Sequence, residues 1–333
     1  MAQGFQSVFS KAQSASEVNV FISTYLQPND YFSRACGVAI DELVRYLQTK
    51  VSKNVRSVIK GGSLGKGTGL RDTSDIDCVV FINYDGDIRS SIQAMSGPWL
   101  QKIIQKIRHS LENRTSPDEF KVVDETRHAV KLRYKRGSFT CDVDLLPAID
   151  ILGKGTPQQV YDAMEAASES MRGYCSASLV QLQVEFVKCQ HPVVKDLIRF
   201  VKHWKNEYFR GFAHNVTLPS SYLLELLCIK VWEMTGRPWS MDKRKGLKAV
   251  MWLLTKPSHL LVQWQMHYYD HSNCPLPNTN RLSVRDPANP FNDLCSGFSS
   301  TSWDTIDYVV KQTLKAPMFH GLRMDPPWDI FTD

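Results

Sequence analysis

The chain has 333 residues, and its 40 Lys and Arg against 34 Asp and Glu give a formal net charge of +6. Its 43% hydrophobic and 22% charged residues are typical of a globular protein and exclude a collagen, a coiled coil and a wholly disordered chain. No apolar run approaches the roughly 20 residues of a membrane-spanning helix, and the N-terminus lacks the apolar core of a signal peptide. We therefore expect a cytoplasmic protein without membrane contacts.

The first part of the chain alternates between helical and strand patterns. Apolar residues at helical spacing predict helices over Val8–Leu26 and Phe32–Thr49, and a β-branched segment predicts a strand over Val55–Ile59. A glycine-rich stretch, Gly61–Gly69, then leads to a strongly apolar strand, Cys78–Ile82.

A long helix and three short strands follow, and the pattern becomes mostly helical after Pro147. The helix is Ile88–Leu111, and the strands are Phe120–Asp124, Ala129–Tyr134 and Ser138–Leu145. The later helices are Pro157–Ala167, Ser178–Cys189, Val193–Tyr208, Ser220–Met234, Gly246–Leu254 and Trp303–Leu314, with a loop-rich segment at Cys274–Ser300. These patterns predict an α+β fold with a mixed sheet in residues 1–155 and a mostly helical lobe in residues 156–333.

The eight cysteines are scattered singly and form no CxxC pair, which is typical of a protein from a reducing compartment. A zinc site needs clustered ligands at short spacings, and the nearest candidate, His271 with Cys274, has no second pair nearby. We therefore expect no zinc.

Two acidic residues, Asp75 and Asp77, stand at the start of the apolar strand. Side chains two residues apart on a strand point to the same face, and like charges on one face repel unless a cation lies between them. Carboxylates with room for water suit Mg²⁺, particularly when substrate phosphates complete its shell. Because a DxD sequence is also common in ordinary turns, the pair alone does not establish a metal site.

The glycine-rich stretch directly precedes these acids. It is not a Walker loop, because Lys60 and Gly67 stand where that motif needs Gly and Ser or Thr. Small residues expose backbone N–H groups, Ser63 adds a hydroxyl, and Lys66 and Arg71 add positive charge, so the loop could bind phosphate oxygens. A flexible glycine turn is the alternative.

A second in-phase pair of acids, Asp142 and Asp144, lies in a later predicted strand. If that strand neighbours the first, two opposed pairs of carboxylates would repel severely without metal. Two Mg²⁺ ions about 3.5–4 Å apart are the usual solution, and they stabilise the attacking and leaving oxygens of an in-line displacement.

The order of GGS, DxD and a later strand acid resembles the DNA polymerase β-like nucleotidyltransferase superfamily. The segment GGSLGKGTGLRDTSDIDCVVF closely resembles the signature of the 2′-5′-oligoadenylate synthetases, and DVDLLPAIDILG is similar to that family's third-acid segment. Further similar segments, in the family's order, are Leu197–Trp204, Tyr222–Leu227, Asp286–Pro290 and Ala316–Phe319. The resemblance covers residues from about 5 to 330 and implies a bilobal nucleotidyltransferase related to cyclic GMP-AMP synthase-like receptors.

The resemblance also implies roles for individual residues. Asp75, Asp77 and Asp144 would be the catalytic triad and the ligands of two Mg²⁺ ions, or of Mn²⁺ in their place, with Asp144 drawing the proton from a ribose 2′-hydroxyl. The residues assigned to the nucleotide are Gly62, Ser63, Lys66, Arg199, Lys202 and Tyr222. Arg199 and Lys202 share a helix face and would hold phosphates, although a solvated basic face is the alternative. A core position is the alternative for the Tyr222 ring.

The family is activated by double-stranded RNA, which is recognised mainly by shape and charge, on the face opposite the cleft. Lys60 and Lys188 match RNA-contacting positions of the family. Other basic residues that could complete the footprint are Arg45, Lys53, Arg56 and Lys195. Three positions where vertebrate enzymes have Lys, Arg or Thr differ here, and they are Gln48, Val184 and Pro192. A scattered basic surface without RNA is therefore the alternative.

The resemblance implies RNA-activated synthesis of 2′-5′-linked oligoadenylate from ATP, with release of pyrophosphate, by a monomer that makes a second messenger of innate antiviral sensing. Ser221 replaces the family's Gln and Tyr208–Leu218 is longer than in vertebrate enzymes, which favours a cyclic or mixed dinucleotide as an alternative product. The three positions at which this chain differs from the RNA-contacting residues of the vertebrate enzymes favour a synthetase that does not need RNA. An inactive RNA-binding decoy is a further hypothesis, against which the intact triad argues.

Overall fold

The computed structural model describes residues 7–51, 54–71, 75–113, 119–212, 216–256, 260–264 and 281–332. The strands are β1 (Val55–Lys60), β2 (Ile76–Ile82), β3 (Phe120–Glu125), β4 (Val130–Arg136), β5 (Phe139–Ala148), β6 (Leu260–Val262) and β7 (Leu282–Val284). The helices are α1 (Val8–Lys11), α2 (Ala15–Phe21), α3 (Asp30–Tyr46), α4 (Gly62–Lys66), α5 (Ile88–Met95), α6 (Pro98–Glu112), α7 (Pro157–Glu165), α8 (Glu169–Arg172), α9 (Cys175–Ser178), α10 (Val180–Lys188), α11 (Pro192–Tyr208), α12 (Ser221–Met234), α13 (Lys243–Thr255) and α14 (Ser300–Thr313). Short π-helical turns cover Ile22–Leu26 and Leu47–Val51.

Among the described residues, β1 to β5 form one sheet in the order β1-β2-β5-β4-β3. β2 and β5 run parallel, and the other neighbouring pairs are antiparallel. The mixed sheet and the surrounding helices confirm the predicted α+β class. Because β2 lies inside the sheet next to β5, the residues at its start come to lie beside the middle of β5.

β2 is buried along nearly its whole length because its alternating side chains enter two different cores. Cys78 and Val80 pack with the apolar faces of α3 and α6. Val79 and Phe81 point to the other face and pack with α5 and α7. The sheet is therefore held between helices on both sides, which fixes β2 firmly under the acids at its N-terminal end.

A third core joins α11 to α14 with the first two helices of the chain. Phe9 of α1 and Val18 of α2 are fully buried there, and the rings of Phe9 and Phe200 stack with their centroids 5.4 Å apart. α12 is apolar around most of its circumference and lies at the centre of this core. The N-terminal residues thus share a core with the far end of the chain, and the expected division near residue 155 stays a prediction.

Two long predicted helices are broken in the structure. The first, Val8–Leu26, divides into α1, α2 and a π-helical turn, because Ser14 and Glu17 form a capping box that starts a new helix. The second, Ile88–Leu111, divides at Gly97, and Pro98 then begins α6 at the first helical position.

Several short elements were not predicted, among them α4, α8 and the two-stranded parallel sheet of β6 and β7. β7 lies within the segment that was expected to be loop-rich. His271 and Cys274, the weak zinc candidate, lie outside the described residues. Among the described helices, none has the length and apolar character that spanning a membrane requires.

Candidate active site

The parallel pairing of β2 and β5 brings two of the predicted acids side by side. Asp77 and Asp144 are register partners across these strands, and Asp75 lies just before β2. The backbone N–H of Gly61 donates to the carbonyl of Asp77 at 2.8 Å, which fixes the glycine-rich segment beside the acids. The structure therefore brings the three acids of the predicted triad to one end of the sheet.

Gly62 stands where a side chain would collide with the Asp77 carboxylate. Its φ is +52°, in the left-handed region, and a Cβ atom at this position would lie 1.7 Å from Oδ2 of Asp77. The Asp77 carboxylate thus packs directly against the backbone of Gly62. Any side chain at residue 62 would displace this carboxylate.

The carboxylates destabilise one another's charged forms. Burial, followed by the nearby charges of Asp144 and Asp75, raises the pKa of Asp77 to about 6. Burial also raises the pKa of Asp75 and of Asp144, and the neighbouring ammonium of Lys131, the register partner of Asp144 on β4, partly opposes this. A hard divalent cation would relieve this repulsion, so the chemistry of the three carboxylates fits Mg²⁺.

The acids do not, however, converge on one point in this conformation. Within the part of the chain that the structure describes, no three His, Cys, Asp or Glu side chains lie close enough together to hold a metal ion. The carboxylates would have to approach one another before they could share ions.

Asp142, the other acid of the predicted second pair, has a cationic partner. Its register partner on β4 is Arg133, whose Nε donates to Oδ1 of Asp142 at 2.8 Å in an exposed ion pair. The charge of Asp142 nevertheless helps to raise the pKa of Asp75 and of Asp144, so Arg133 offsets the expected repulsion only in part.

A buried ionic network faces the acids. Nζ of Lys66 lies 3.0 Å from Oε2 of Glu225, and Nζ of Lys202 lies 3.5 Å from Oε1 of the same carboxylate. The Thr68 hydroxyl donates to Oε1 of Glu225 at 2.6 Å, and Lys202 also donates to the Thr68 carbonyl at 3.1 Å. Lys66, Lys202 and Glu225 are all buried, so two positive charges and one negative charge lie away from bulk water.

The two lysines determine the charge state of Glu225. Burial alone would raise its pKa, but Lys66, Lys202 and the Thr68 hydrogen bond outweigh burial and lower the pKa below its usual value. Burial in turn lowers the pKa of Lys202, and Glu225 opposes that shift. The network therefore carries one net positive charge when all three groups are ionised.

A cavity of about 320 Å³ separates the acids from this network. Asp75 and Asp77 line one side, and Lys66, Lys202 and Glu225 line the other. Gly62 and Ser63 also line it, as do Ser221 and Tyr222 from the start of α12. The volume is at the lower end of the range for ligand pockets, and its polar groups suit an anion that carries metal ions.

Tyr222 is held rigidly in the cavity wall. Nζ of Lys66 lies 3.7 Å from the centre of its ring, which is a close cation–π contact. Its hydroxyl donates to Oδ1 of the buried Asp286 at 2.8 Å, and Gln183 donates to the other oxygen of Asp286 at 2.6 Å. The Tyr222 ring is thus a fixed surface rather than a mobile side chain.

Arg199 was predicted to bind phosphates, but it lies outside the cavity lining. It does not line the cavity, and it donates from Nη2 to the Gly67 carbonyl at 2.7 Å and from Nε to the Gly69 carbonyl at 3.2 Å. Its Nη1 donates to Asp196 at 2.9 Å. In this conformation Arg199 holds the end of the glycine-rich segment, and a contact with a phosphate would require these bonds to be exchanged.

Two of the predicted RNA-binding lysines stand at the ends of elements that pack against α4. Lys60 is exposed at the end of β1, and Lys188 is exposed at the end of α10. A Cβ atom at Gly65 would lie 2.3 Å from the Lys60 carbonyl and 3.4 Å from Cγ2 of Val184, so α4 packs tightly against both β1 and α10. The lysines therefore belong to the two elements that contact α4 at Gly65.

The remaining predicted RNA-binding positions are less uniform. Arg56 is half exposed and pairs with Asp150 at 3.2 Å. Lys53 lies outside the described residues. Lys195 lies close to Lys188, because its Nζ donates to the Lys188 carbonyl at 2.6 Å.

Sequence reasoning missed Glu225, Thr68 and Asp286 as parts of the site. One signal was present for Glu225, because it is a single acid inside the otherwise apolar run Tyr222–Ile229. A buried carboxylate in such a run needs a positive partner. Nothing in the sequence indicated that its partners would be Lys66 and Lys202.

The sheet order, the acids on β2 and β5 and the preceding glycine turn define a nucleotidyltransferase fold. A family model described as "Nucleotidyltransferase domain" matches residues 40–167. A second model, described as "2'-5'-oligoadenylate synthetase 1, domain 2, C-terminus", matches residues 154–332 and thus more than half of the chain. The chain belongs to the 2′-5′-oligoadenylate synthetase family, as its sequence resemblance indicated.

Curated relatives match along almost the whole chain. Mouse 2'-5'-oligoadenylate synthase 2 is 28% identical over 94% of this chain, which spans only 45% of that relative. Human 2'-5'-oligoadenylate synthase 2 is also 28% identical over 94% of this chain, which covers 46% of its length. Rat 2'-5'-oligoadenylate synthase 1A is 26% identical over 95% of both chains.

Solved structures share the fold. The structure of Escherichia coli CdnC with ATP has a TM-score of 0.61 with 20% identity and covers 89% of each chain. The Cid1 poly(U) polymerase with Mg and 3'-dATP has a TM-score of 0.53 with 15% identity and covers 95% of this chain and 97% of its own. At these identities the similarity concerns the fold alone.

We expect Glu225→Gln to lower the free energy of unfolding by about 3–5 kcal/mol at pH 7, because it leaves two buried ammonium groups without their carboxylate. Urea unfolding of the wild type and the variant measures the difference. Since the pKa of Glu225 is lowered in the folded state, its contribution is complete above its usual pKa of 4.5 and is lost as the pH falls through the folded-state pKa. The exposed Glu185→Gln is the matched control, and equal stabilities of the Glu225 variant and this control would contradict the expectation.

We expect Asp77→Asn to stabilise the metal-free protein, because it removes a repelled carboxylate. With the pKa of Asp77 raised to about 6, wild-type stability falls as the pH rises from about 4 to 6. The gain should therefore be absent at pH 4 and reach about 1–3 kcal/mol above pH 6, as measured by urea unfolding in EDTA. Asp85→Asn, which removes an exposed carboxylate that does not line the cavity, should leave the stability nearly unchanged, and a similar gain in both variants would refute the repulsion.

Proposed function

We propose that this chain catalyses RNA-stimulated synthesis of 2′-5′-linked oligoadenylate from ATP. The observation that carries the proposal is the cavity in which Asp75 and Asp77 face the ammonium groups of Lys66 and Lys202. It lies in a chain of the 2′-5′-oligoadenylate synthetase family. Such an arrangement suits a triphosphate, whose own negative charge would lie towards the lysines.

In the proposed reaction, the 2′-hydroxyl oxygen of one adenylate attacks the α-phosphorus of an ATP molecule. A new P–O bond forms, the bond to the bridging oxygen breaks, and pyrophosphate leaves with that electron pair. Asp144 accepts the hydroxyl proton, and the burial that raises its pKa makes it a better acceptor. Asp75, Asp77 and Asp144 would hold two Mg²⁺ ions, or Mn²⁺, which supply positive charge to the attacking and leaving oxygens.

The residues on the opposite wall would bind and orient the nucleotide. Lys66 and Lys202 attract the phosphates, and Glu225 compensates for the cost of burying both ammonium groups. Gly62 and Ser63 form the first turn of α4 and line the cavity, where they would contact phosphate oxygens. Tyr222 also lines the cavity and would contact a base through its ring.

Double-stranded RNA is the proposed activator, and Lys60 and Lys188 are its proposed contacts. The packing of α4 against β1 and α10, which carry these lysines, gives RNA binding a route to the glycine turn beside Asp77. We further propose a cytoplasmic monomer whose product acts in innate antiviral defence.

The test of the activity is incubation with ATP and Mg²⁺, with and without poly(I:C), followed by mass spectrometry and digestion with 2′-5′- and 3′-5′-specific nucleases. We expect RNA-dependent linear oligoadenylates that resist the 3′-5′ nuclease. Asp144→Asn should lower the rate at least about 100-fold, since it removes the proton acceptor. Asp85→Asn, which changes an exposed acid that does not line the cavity, is the matched control and should retain most of the activity.

The same assay distinguishes the second candidate function. Ser221 lines the cavity where the family usually has Gln, which leaves room for a different base or acceptor. With all four nucleoside triphosphates present, a cyclic or mixed dinucleotide would replace oligoadenylate as the proposed product. Equal rates with and without RNA would instead support an RNA-independent synthetase.

We expect Lys60→Glu and Lys188→Glu to weaken binding of double-stranded RNA. Each should also reduce the slope of log affinity against log salt by about 1, because each removes a phosphate contact. Fluorescence anisotropy over a salt series measures both quantities. Lys121→Glu, on the exposed side of β3, carries the same charge change as a control, and equal weakening in all three variants would contradict a defined RNA face.

A further inference from the structure

A second cavity, of about 710 Å³, opens between the C-terminal ends of α10 and α12. We call it the aromatic pocket, and the lining residues used below are Cys189, His191, Trp232, Glu233, Arg237 and Trp264. None of these residues belongs to the catalytic cavity. The proposed reaction gives this pocket no role.

Aromatic rings dominate the pocket and its edge. The His191 ring lies nearly parallel to Trp232, with centroids 6.2 Å apart and an angle of 15° between the ring planes. Trp239 stands edge-on to His191 at 5.0 Å and is 85% exposed. A tryptophan this exposed beside a cavity presents a large flat surface for a planar ligand.

The polar groups of the pocket are already matched to one another. Arg237 donates to Oε1 of Glu233 at 3.1 Å, and the Trp264 indole N–H donates to Oε2 at 2.9 Å. Both oxygens of Glu233 are engaged, and Arg237 lies over the Trp232 ring. The Arg237–Glu233 pair has no net charge, so the aromatic surroundings favour a planar, uncharged ring.

Backbone strain accompanies this arrangement. Arg237 has a φ of +56°, which side-chain-bearing residues rarely adopt. It follows Gly236 at the end of α12, where the Arg237 N–H donates to the Trp232 carbonyl at 2.9 Å. The Arg237 guanidinium lies over Trp232 and pairs with Glu233, and its side chain remains 65% exposed, so a cation stands at the mouth of an aromatic cavity.

Further positive charge lies next to the pocket. Lys188 directly precedes Cys189, and the Nζ of Lys195 lies 2.6 Å from the Lys188 carbonyl. A phosphate backbone that crosses Lys188 would therefore bring its next nucleotides to the pocket. Because stacking on an aromatic ring is tolerant of base identity, the pocket needs no particular base.

We propose that the aromatic pocket binds an unpaired nucleobase of an RNA strand, stacked on Trp239, with flanking phosphates near Arg237 and Lys188. The path of the strand rests on the proposed RNA face, whereas the binding of a base does not. It follows that an RNA duplex with a single-stranded extension binds more tightly than the same duplex with blunt ends.

The experiment compares three labelled RNA ligands by fluorescence anisotropy at one fixed salt concentration. All contain the same duplex of about 20 base pairs, which is either blunt, extended by normal nucleotides, or extended by abasic nucleotides that keep the phosphates but lack bases. We expect the wild type to bind the normal extension at least about fivefold more tightly than the abasic one. Trp239→Ala should abolish this preference, and Tyr308→Ala, which removes an exposed ring on α14, should keep it.

Alkylation of Cys189 gives a second readout that does not depend on activity. Cys189 is exposed and lines the pocket, so peptide mapping after iodoacetamide treatment should show protection by the normal extension and none by the abasic extension. AMP alone serves as the free-nucleotide arm of the same measurement.

The outcomes separate this proposal from the proposed RNA activation. If all three RNA ligands bind equally to the wild type and Cys189 stays reactive, the pocket proposal is overturned while the RNA face stands. If no RNA binds, the RNA activation fails, and the proposed RNA occupant fails with it. If AMP protects Cys189 as well as the normal extension does, the occupant is a free nucleotide, and the assignment to an RNA strand is overturned.

Discussion

The buried carboxylate of Glu225 is the interaction on which the rest of the site depends. It joins Lys66, which belongs to the glycine-rich segment after β1, to Lys202, which belongs to the helical core. Burying two ammonium groups together is strongly unfavourable without an acid between them. This one side chain therefore makes it possible for two lysines from distant parts of the chain to line one cavity wall.

α4, which has only five residues, connects the Glu225 network to the acids of the cavity. Its first residue, Gly62, contacts the Asp77 carboxylate, and its last residue, Lys66, contacts Glu225. Gly65 packs against Lys60 and Val184 on the opposite side. The short helix thus contacts a catalytic acid, the buried ionic network and the elements β1 and α10. It cannot shift without affecting all of them.

The features that could be predicted from the sequence are those that depend on local patterns. Period-two alternation placed Asp75 and Asp77 on one face, and the apolar runs located β2 and β5 to within a few residues. The break of the first helix also had a local signal in Ser14 and Glu17, which the apolar periodicity concealed. The partners of Asp142 and Glu225 had none, because Arg133 and Lys66 meet them only through strand register and tertiary packing. Electrostatic balance is a property of the folded arrangement, and the sequence shows only the charges that have to be balanced.

α10 has one end in each of two cores, with Val180 in the layer beneath the sheet and Phe186 in the helical core. The chain also passes between cores after Leu26, before α3 begins. Leu70, between β1 and β2, also packs in the helical core, and Ala288, after β7, packs in the layer beneath the sheet. Several segments of the chain therefore join the cores, and no cut at a single peptide bond would release either half with its core complete.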